Sequence, residues 1–540
     1  MPGTDISSKA VRFCSADEVD EAHSVVSRAF ASGQTQPLSW RLRQIKKIWW
    51  MLEDNKERIA EALHKDLHKH KLEALSADVY GIQTVCVYTL RHLKAWAADE
   101  KPSRFNALNL FGRARIRKEP KGSVLVISAW NFPFQELIEP LIAAIAAGCS
   151  AVVKPSEVAV ASQNLIMEMI PKYLDHDTIR VVTGGPQEMG HILDKKWDHI
   201  FYTGSTRVGT IIYQKAASHL TSVTLELGGQ GPAIVTANAD VDLAARRIAG
   251  AKLLNAGQVC LSVNHVFVDP SIKGQFIASL VRYFDEFTDG VKHPECYSHI
   301  ANERNFSRLG KLLDQTGGKV VYGGHRDITA LAFSPTVVTD VLPSDSLMSE
   351  ELFGPILPVL DATLDNAISY TTSHGHPLAL YLFSNSQAEK ERTLKQTRSG
   401  GVTINDCIVH NLTQGTPFGG TGASGMGAFH GPYGFLEFTH LRTVADVPKW
   451  LDFILKNRYP PYTDKKTSAL LKIVRPVQTV SFDRDGNDVR GLAHQARAII
   501  KVLMLGGLLY GIGTNSRALA DPLQLGQSML GLAGRIYGKP

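Results

Sequence analysis

An α/β fold with parallel sheets is the fold class that this sequence predicts. Short runs rich in Val and Ile alternate with helical patterns from residue 122 to about residue 405, and short loops join them. Such alternation is typical of a doubly wound parallel sheet, in which the strand ends form one edge where ligands bind. A chain of 540 residues is long enough for several domains. We therefore expect one doubly wound domain followed by a second α/β domain.

The overall composition predicts a folded globular protein in a reducing compartment. Hydrophobic residues make up 44% and charged residues 20% of the chain. The six cysteines are scattered without C-x-x-C spacing, which argues against a disulfide framework or a zinc site. The first residues, Met1 to Asp5, contain no apolar run, so we expect no secretory signal. The expected location is the cytoplasm or the cytoplasmic face of a membrane.

Helices are predicted from about Ala16 to Asp99. Apolar residues recur there at helical spacing, with charges between them. The segment from Pro102 to Lys118 is basic and lacks a regular pattern, so we expect an extended arm.

The first α/β alternation begins at Gly122. Its predicted strands are 123–128, 151–153, 179–182, 199–202 and 222–225, and its predicted helices are 136–147, 161–170, 189–194 and 207–219. A second alternation runs from about Pro232 to Asn405, with strand candidates at 265–268, 318–322, 335–338 and 378–383. The stretch Gly419–Gly427 is predicted as a glycine-rich loop.

The segment after residue 450 differs from the rest of the chain. From Lys449 to Pro540 it has 14 Lys and Arg against 6 Asp and Glu, whereas the whole chain has a net charge of +6. The basic excess therefore lies in this segment, which argues against a nucleic-acid surface on the main body. The apolar run Ala498–Gly513 is shorter than the roughly 20 residues that a membrane-spanning helix needs.

Cys260 and Glu226 are a candidate nucleophile and a candidate base. Both stand near glycines, which let the backbone approach a reacting carbonyl or a cofactor. Cysteine needs an activating environment to react, and a buried structural thiol is the ordinary alternative. Glu226 could equally form a pair at a strand end.

Three further motifs follow predicted strands of the first alternation. Asn131, in Trp130–Pro133, could donate its amide to an oxyanion, or the segment could be a turn with buried aromatics. Gly204–Gly209 opens a helix and could bind a pyrophosphate, although a helix start capped by Ser205 or Thr206 explains it as well. Lys154 and Glu157 could hold ribose hydroxyls, or form a surface pair beside a Ser156 cap.

His64 and His68 are the histidine pair at helical ligand spacing. Charged neighbours on both sides favour a solvated helix face, and no third ligand stands nearby in the sequence. We expect no metal site.

Taken together, the motifs resemble those of the NAD(P)-dependent aldehyde dehydrogenase superfamily. The resemblance covers about Ala16 to Tyr462. The short N-terminus and the segment Arg458–Tyr462 are similar to the class 3 branch, which includes fatty aldehyde dehydrogenases and fungal enzymes that oxidise β-apo-4′-carotenal; we favour the fungal group. The matching segments are Trp130–Pro133, Lys154–Glu157, Gly204–Gly209, Leu225–Gly229, Gly257–Cys260, Glu351–Pro355 and Pro417–Gly420.

The resemblance implies oxidation of a long-chain apolar aldehyde, either an apocarotenal or a fatty aldehyde, to the acid. Cys260 would attack the carbonyl, Asn131 would hold the oxyanion, and Glu226 would activate water against the thioester. The implied cofactor is NAD, because Glu157 would repel a 2′-phosphate, with NADP use left open. The implied cofactor-binding residues are Trp130, Lys154, Glu157, Gly204, Ser205, Thr206, Gly209, Leu227, Glu351 and Phe353.

Two rival functions stay open beside this one. An acylating enzyme would pass the thioester to coenzyme A, but such enzymes lack the hydrolytic glutamate that Glu226 supplies. A catalytically silent binding or structural protein could reuse the same fold. Cofactor reduction with a long-chain aldehyde would separate these alternatives.

The resemblance also implies a domain order and partners. We expect N-terminal helices and a dinucleotide-binding domain over 1–226, with the β-arm for oligomerisation at 102–120, and a catalytic domain over 227–410. A glycine-rich loop and oligomerisation segment over 411–450 and a basic, apolar extension over 451–540 would follow. The expected partners are a lipophilic aldehyde and a second copy of the chain. The extension either binds a membrane surface or packs on the body.

Overall fold

The computed structural model describes residues 12–102, 111–290, 296–474 and 484–487. The strands are β1 Arg115–Pro120, β2 Ser123–Ile127, β3 Ser150–Lys154, β4 Ile179–Val181, β5 His199–Thr203, β6 Ser222–Glu226, β7 Pro232–Val235, β8 His265–Val268, β9 Lys319–Tyr322, β10 Arg326–Asp327, β11 Ala332–Phe333, β12 Thr336–Thr339, β13 Ile356–Asp361, β14 Ala379–Phe383, β15 Gly401–Ile404, β16 Gly425–Met426 and β17 Thr439–Val444.

The N-terminal region is helical, as predicted. A π-helical segment, Ser76–Gly81, interrupts it. The α-helices of the chain are Ala16–Ala31, Leu38–Leu67, Lys71–Leu75, Ile82–Trp96, Gln135–Ala147, Val160–Tyr173, Pro186–Leu193, Thr206–Ala217, Val241–Leu253, Lys273–Phe287, Glu303–Gln315, Leu364–Ser373, Gln387–Gln396, Gly431–Glu437, Asp452–Leu455 and Asp464–Val474.

A six-stranded sheet follows the first predicted alternation. Its strand order is β16-β6-β5-β2-β3-β4, and all pairings are parallel except β16 with β6. Side chains of β2 alternate between its faces: Val124 and Val126 pack with the helices that include Leu38–Leu67 and Gln135–Ala147. Leu125 and Ile127 pack on the opposite face with helices that include Ala16–Ala31. Since both faces are covered, the sheet is doubly wound, as predicted.

A seven-stranded sheet follows the second alternation. Its order is β15-β14-β7-β8-β13-β12-β9, and only β9 runs antiparallel to its neighbour. Helices Val241–Leu253 and Lys273–Phe287 cover one face. Helices Glu303–Gln315 and Leu364–Ser373 cover the other. Mixed α/β architecture with parallel sheets is thereby confirmed.

The prediction of a loop over Gly419–Gly427 is wrong in part, because Gly425 and Met426 form β16. Gly425 has φ +137°, and a Cβ there would lie 2.1 Å from the backbone oxygen of Leu225. Glycine therefore lets β16 approach β6 next to Glu226.

The strands β7, β13 and β15 were not among the predicted strands. Each is a run of four to six mostly apolar residues, which is as typical of a buried helix as of a strand.

The chain divides into two compact units. The first comprises the described residues up to Ala98 and Lys118–Leu441, and it contains both large sheets. The second comprises 99–117 and the residues from Arg442 onwards; within it, the rings of Phe111 and Trp450 meet edge to face at 5.7 Å. The domain bounds expected at 226, 410 and 450 stay predictions.

Two predicted features fall wholly or partly outside the described residues. Residues 103–110 of the expected arm lie outside them, while the following strand β1 pairs with β17. The apolar run Ala498–Gly513, with most of the extension, also lies outside. Among the helices that are described, none has the length and hydropathy to cross a membrane.

Candidate active site

Cys260 follows a left-handed turn at the end of helix Val241–Leu253. Asn255, Ala256 and Gly257 have φ values of 48°, 53° and 71°. A Cβ at Gly257 would lie 2.3 Å from the backbone oxygen of Gly354, so this turn needs glycine. The Cys260 side chain is half-buried. The backbone thus presents the thiol at a tight, strained turn, a geometry that is common at functional sites.

An amide network ties Asn131 to the cysteine turn. The Asn131 Nδ2 donates to the backbone oxygen of Gln258 at 3.1 Å. Asn255 Nδ2 donates to the backbone oxygens of both Asn131 and Gln258, each at 3.1 Å. Asn131 is 3% exposed. The structure therefore brings Asn131 and the Cys260 turn together, and a buried amide donor stands beside the thiol segment.

A buried ion pair between Lys69 and Asp78 contacts the turn that carries Asn131. Lys69 Nζ lies 3.3 Å from Asp78 Oδ2, and both side chains are fully buried. The same Nζ donates to the Asn131 backbone oxygen at 2.9 Å and lies 4.0 Å from the Phe132 ring centre. Asp78 Oδ1 accepts from the backbone N–H groups of Phe134 and Gln135 at 3.2 and 3.1 Å. Because its charges are paired and hydrogen-bonded, the pair fixes this turn.

Glu226 is the last residue of strand β6, and its side chain is surrounded by protein. It is 3% exposed, and neither carboxyl oxygen has a hydrogen-bond partner. Burial raises the pKa of Glu226 well above its ordinary value, and the charges of Glu136 and Glu437 add to the effect. An unpaired buried carboxyl is costly for folding, which is typical of a functional group.

The thiol shares its surroundings with three carboxyls. Burial raises the pKa of Cys260 well above its ordinary value, and the charges of Glu136, Glu351 and Glu226 raise it further. Charges act at this strength only at short range in a buried site. Cys260 and Glu226, predicted as nucleophile and base, thus lie in one cluster.

Glu351 and Phe353 lie on a loop that enters the same cluster. Glu351 Oε1 is buried without a partner, and burial raises the pKa of Glu351 to about 7. A Cβ on Gly228 would lie 2.2 Å from its carboxyl oxygen. The Phe353 ring meets the Trp130 ring edge to face at 5.3 Å. The loop therefore offers a carboxyl acceptor and an aromatic wall side by side.

The Gly204–Gly209 segment opens helix Thr206–Ala217, and Ser205 is its N-cap. Ser205 Oγ accepts from the backbone N–H of Val208 at 3.4 Å, so the capping alternative is confirmed for Ser205. Thr206 Oγ1 donates to the Ala423 oxygen at 3.2 Å. A Cβ at Gly204 would lie 2.2 Å from the Tyr202 hydroxyl, and one at Gly209 would lie 2.8 Å from the Leu227 side chain. Capping does not exclude an anion at the same helix end.

Lys154 and Glu157 form an ion pair at the end of β3. Their Nζ and Oε2 atoms lie 2.5 Å apart, and Lys154 is 3% exposed. The alternative of a Ser156 cap is wrong, because the next helix begins at Val160 without a side-chain cap of its own at Ala159.

The expectation of a solvated face at His64 and His68 is wrong in part. Asp66, which lies between them, accepts from the backbone N–H groups of Ala161 and Ser162 at 2.8 Å each, at the start of helix Val160–Tyr173. His68 is half-buried and stacks on His299 with ring centres 4.0 Å apart. Tertiary contacts that sequence spacing does not reveal thus occupy this segment.

Sequence analysis missed Glu136, Lys69 and Asp78. Glu136 lies in the first turn of helix Gln135–Ala147, directly after the Asn131 turn, and its charge acts on both Cys260 and Glu226. An acidic residue in a helix whose other residues are mostly apolar was a usable signal for Glu136. The Lys69–Asp78 pair had no signal, because charged residues are ordinarily solvated.

The residues present fit a dinucleotide. The unpartnered Glu351 oxygen can accept from a ribose hydroxyl; at a second ribose, Glu157 can accept from a hydroxyl and Lys154 can donate to one. At Gly204, Gly209 and Gly228 a side chain would collide with neighbouring atoms, so the backbone stays bare for close approach.

Comparisons with known proteins agree with this site. A sequence model of the aldehyde dehydrogenase family matches residues 1–444. The β-apo-4′-carotenal oxygenase of Neurospora crassa is 42% identical over 482 residues, covering 88% of this chain and 89% of that protein. The dimeric NADP-preferring aldehyde dehydrogenase of Canis lupus familiaris is 40% identical over 441 residues, covering 81% of this chain and 97% of that protein.

A solved structure has the same fold. AldH of Staphylococcus aureus in a substrate-bound state superposes with a TM-score of 0.80 at 35% identity, covering 84% of this chain and 99% of that one. The similarity thus extends over both large sheets.

Proposed function

The chain belongs to the aldehyde dehydrogenase family, and we propose that it oxidises long-chain apolar aldehydes to acids through a thioester on Cys260. Members of this family are NAD(P)-dependent dehydrogenases, and this chain is one of them. The observation that carries the mechanism is the cluster of Cys260 with Glu226 and Asn131.

The first half of the reaction is assigned to Cys260 and Asn131. As a thiolate, Cys260 attacks the aldehyde carbon, and the carbonyl oxygen becomes an oxyanion. The Asn131 amide, held on the Gln258 oxygen before substrate binds, turns its donor to that oxygen. Bound nicotinamide supplies the acceptor for hydride. Glu351, Lys154 and Glu157 would hold its riboses.

The second half is assigned to Glu226. Thioester hydrolysis requires a base that removes a proton from the attacking water. Burial raises the pKa of Glu226, so its carboxylate is a stronger base than an exposed one. Since both of its oxygens lack a partner, they are free to orient that water.

Glu226 also favours this function over the rivals. An acylating enzyme needs no buried carboxyl to activate water, and a silent protein needs neither that carboxyl nor the strained turn before Cys260. The unpaired buried carboxyl and the strained turn both lower stability. Their presence in one site is consistent with active hydrolytic chemistry.

The substrate class is proposed from the relatives. The Neurospora crassa protein that is 42% identical is named for β-apo-4′-carotenal. We infer that this chain takes conjugated or saturated aldehydes of similar apolar character. NAD is the proposed preferred cofactor, because the Glu157 carboxylate would repel a 2′-phosphate.

A panel of aldehydes tests this function. The full chain is incubated with NAD or NADP and with saturated and polyene aldehydes of graded length, and both reduced nicotinamide and free acid are measured without coenzyme A. We expect acid and reduced cofactor in equal amounts with the longer substrates, and neither product from Cys260→Ser. Reduced cofactor that appears only with coenzyme A would support the acylating alternative, and no product with any aldehyde would support the silent one.

We also propose a homodimer on the cytoplasmic side of a membrane. The canine relative is named as dimeric, which supports the first part. The excess of basic residues after Lys449 supports the second, because basic residues near apolar ones suit an anionic leaflet.

A further inference from the structure

Lys69 is a fully buried cation that the proposed mechanism does not use. An ammonium group has three N–H donors, and that of Lys69 makes three contacts within the protein. Its Nζ lies 3.3 Å from Asp78 Oδ2, 2.9 Å from the Asn131 backbone oxygen and 4.0 Å from the centre of the Phe132 ring. The ammonium group is therefore held in one position, directly beside the residue to which the oxyanion is assigned.

Asp78 extends these contacts to the far side of the same turn. It lies in the π-helical segment of the N-terminal region, a rare geometry that is frequent at functional sites. Its Oδ1 accepts from the backbone N–H groups of Phe134 and Gln135 at 3.2 and 3.1 Å. Because Lys69 contacts Asn131 and Asp78 contacts the start of the next helix, the pair holds the turn at both ends.

The same N-terminal segment also contacts the turn that presents the thiol. Glu73, four residues after Lys69, accepts from the backbone N–H of Asn255 at 3.0 Å. Asn255 is the first of the three residues with positive φ that precede Cys260. One short segment of the chain therefore contacts both the turn that carries Asn131 and the turn that presents Cys260.

The backbone of Asn131 is held more firmly than its side chain. Its backbone oxygen accepts from Lys69 Nζ at 2.9 Å and from Asn255 Nδ2 at 3.1 Å. Its side-chain Nδ2 makes a bond of 3.1 Å to the Gln258 oxygen, and Asn255 Nδ2 donates to that same oxygen at 3.1 Å. When the Asn131 amide leaves the Gln258 oxygen, this oxygen keeps a donor and the Asn131 backbone keeps two. The amide can therefore turn while the backbone stays in place.

Stability alone is a weak reason for the Lys69–Asp78 pair. Both charges have lost their hydration, and apolar residues of similar volume often replace such a pair without loss of stability. A catalytic hydrogen-bond donor, in contrast, depends strongly on its position, since a misplacement of about 1 Å can lower a rate about a hundredfold. Accurate placement of the Asn131 amide is the role that fits a buried pair at this turn.

We propose that Lys69 is a positioning residue for the oxyanion. Through the Asn131 backbone oxygen, it holds the Asn131 amide where that amide donates to the oxygen of the aldehyde under attack by Cys260. Asp78 fixes the ammonium group, and no proton leaves Lys69 during the reaction. This assignment rests on the proposed function and adds to it the group that keeps Asn131 in place.

A double-mutant cycle tests this role. Lys69→Met removes the ammonium group and keeps an apolar chain of similar length beside Phe132; it is made in the chain with Asn131 and in the chain with Asn131→Ala. Single turnovers, with enzyme in excess over aldehyde and saturating NAD, report formation of reduced cofactor. We expect Lys69→Met to lower this rate by about tenfold when Asn131 is present. In Asn131→Ala it should change the rate by less than about twofold, because no amide remains to be positioned.

A second measurement follows the thiol alone. Alkylation of Cys260 by iodoacetamide forms no oxyanion, so it reports whether the sulfur has moved. We expect the alkylation rate of Lys69→Met to stay within about twofold of that of the unchanged chain. The KM for NAD should also stay the same, whereas kcat falls with the single-turnover rate.

Each other outcome overturns the proposal. An equal fall of the single-turnover rate with and without Asn131 shows that Lys69 does not act through that amide. A rate within about twofold of the unchanged chain shows that the amide needs no such support. Slower alkylation shows a displaced thiol and a structural role only. If Lys69→Met does not fold, Lys69→Met combined with Asp78→Asn decides in the same way, since it removes both charges and keeps an oxygen for the two N–H groups.

Arg41→Met is the matched control at the other end of the same helix. Arg41 is a buried cation whose Nη1 donates to the Ala146 backbone oxygen at 3.1 Å. Its replacement should lower the Tm and leave the single-turnover rate unchanged, and a fall equal to that in Lys69→Met would assign the effect to stability and overturn the proposal. If the unchanged chain reduces no cofactor, the proposed function fails. If it does and the cycle is additive, only the role of Lys69 fails.

Discussion

Glu157 is the residue through which we expect the protein to distinguish NAD from NADP. Its carboxylate meets the nearly buried Lys154 at 2.5 Å, so the lysine holds the acid in place at the strand end. A fixed negative charge beside a ribose hydroxyl repels the 2′-phosphate of NADP more than a mobile one would. Discrimination between the two cofactors should therefore depend on this pair.

Replacing Glu157 by glutamine should relax the preference for NAD. We expect the ratio of kcat/KM for NADP to that for NAD to rise by about tenfold, the effect of roughly one charge–charge contact. Steady-state kinetics with both cofactors measure it. Glu188→Gln, on a different helix start, is the matched control and should leave the ratio unchanged. An unchanged ratio in Glu157→Gln would show that this carboxylate does not face the 2′ position.

Glu136 makes stability depend on pH. Its pKa is about 8 in the folded chain, against an ordinary value of 4.5. Between these values the folded state binds more protons than the unfolded state, so the free energy of unfolding falls as pH rises. The stabilisation by this proton is complete below about pH 4.5 and is lost as the pH passes 8.

Replacing Glu136 by glutamine removes this loss of stability at high pH, because glutamine does not ionise. We therefore expect the Tm of Glu136→Gln, relative to the unchanged chain, to be higher at pH 8.5 than at pH 5.5, as thermal unfolding followed by circular dichroism would show. Glu351 shifts in the same direction in both proteins and cancels in the comparison, whereas loss of the Glu136 charge also lowers the pKa of Glu226 and so adds to the same trend. An equal Tm difference at both pH values would contradict the raised pKa.

At the scale of single residues, the sequence predicted the residues that stand in motifs, but not the residues that lie next to them in space. Cys260, Glu226, Asn131 and Glu351 could be singled out because glycines and strand ends mark them, and they meet in one cluster. Glu136 carries only one sequence signal, an acidic residue in a mostly apolar helix, because its significance depends on its distance from the thiol and from Glu226. A one-dimensional pattern contains no such distance.

The turn from Asn255 to Gly257 is the element that presents the thiol. Three consecutive residues with positive φ are unusual, and two of them have side chains that disfavour it. Gly257 is the residue at which no side chain fits, because the Gly354 oxygen would lie 2.3 Å from its Cβ. The turn and the Glu351 loop thus depend on each other.

Gly257→Ala should damage both stability and catalysis. The strained φ and the contact with Gly354 should lower the free energy of unfolding by about 1–3 kcal/mol. Displacement of Cys260 should lower kcat more than it changes the KM for NAD. Gly190→Ala is the matched control, because no atom lies within 4 Å of its Cβ in helix Pro186–Leu193, and alanine favours a helix. Chemical denaturation and steady-state kinetics measure both variants, and equal behaviour of the two would contradict the close approach.

Helices and strands were predictable where their hydrophobic pattern was clear over the whole element. The strands of the first sheet and the N-terminal helices match the predicted segments to within a few residues. Strand β16 was not predictable, because two residues in a glycine-rich stretch carry no pattern, and only pairing with β6 defines them as a strand. Short elements depend on their neighbours rather than on their own sequence.

At the scale of the whole molecule, charge separates the end of the chain from the rest. From Lys449 onwards basic residues outnumber acidic ones by 14 to 6, whereas the preceding residues contain 44 Lys and Arg against 46 Asp and Glu. Helix Asp464–Val474 lies in this region, with Lys465 and the apolar Leu471 exposed, whereas Lys466 is half-buried and donates to the Tyr459 backbone oxygen at 3.1 Å. Exposed basic and apolar side chains on one short helix are typical of segments that bind an anionic membrane surface.

Removal of the residues after Tyr462 should therefore reduce membrane binding and leave the chemistry intact. We expect the full chain to float with vesicles that contain phosphatidylserine and to remain below with neutral vesicles, because each basic residue near an anionic surface contributes about 1 kcal/mol. The shortened chain should float with neither, yet oxidise a short soluble aldehyde at the same rate, since Cys260, Glu226 and the cofactor residues all precede position 442. Rising salt should release the full chain, as screening predicts. Equal flotation of both forms would place the membrane contact elsewhere. Loss of activity in the shortened form would instead favour packing of the extension on the body.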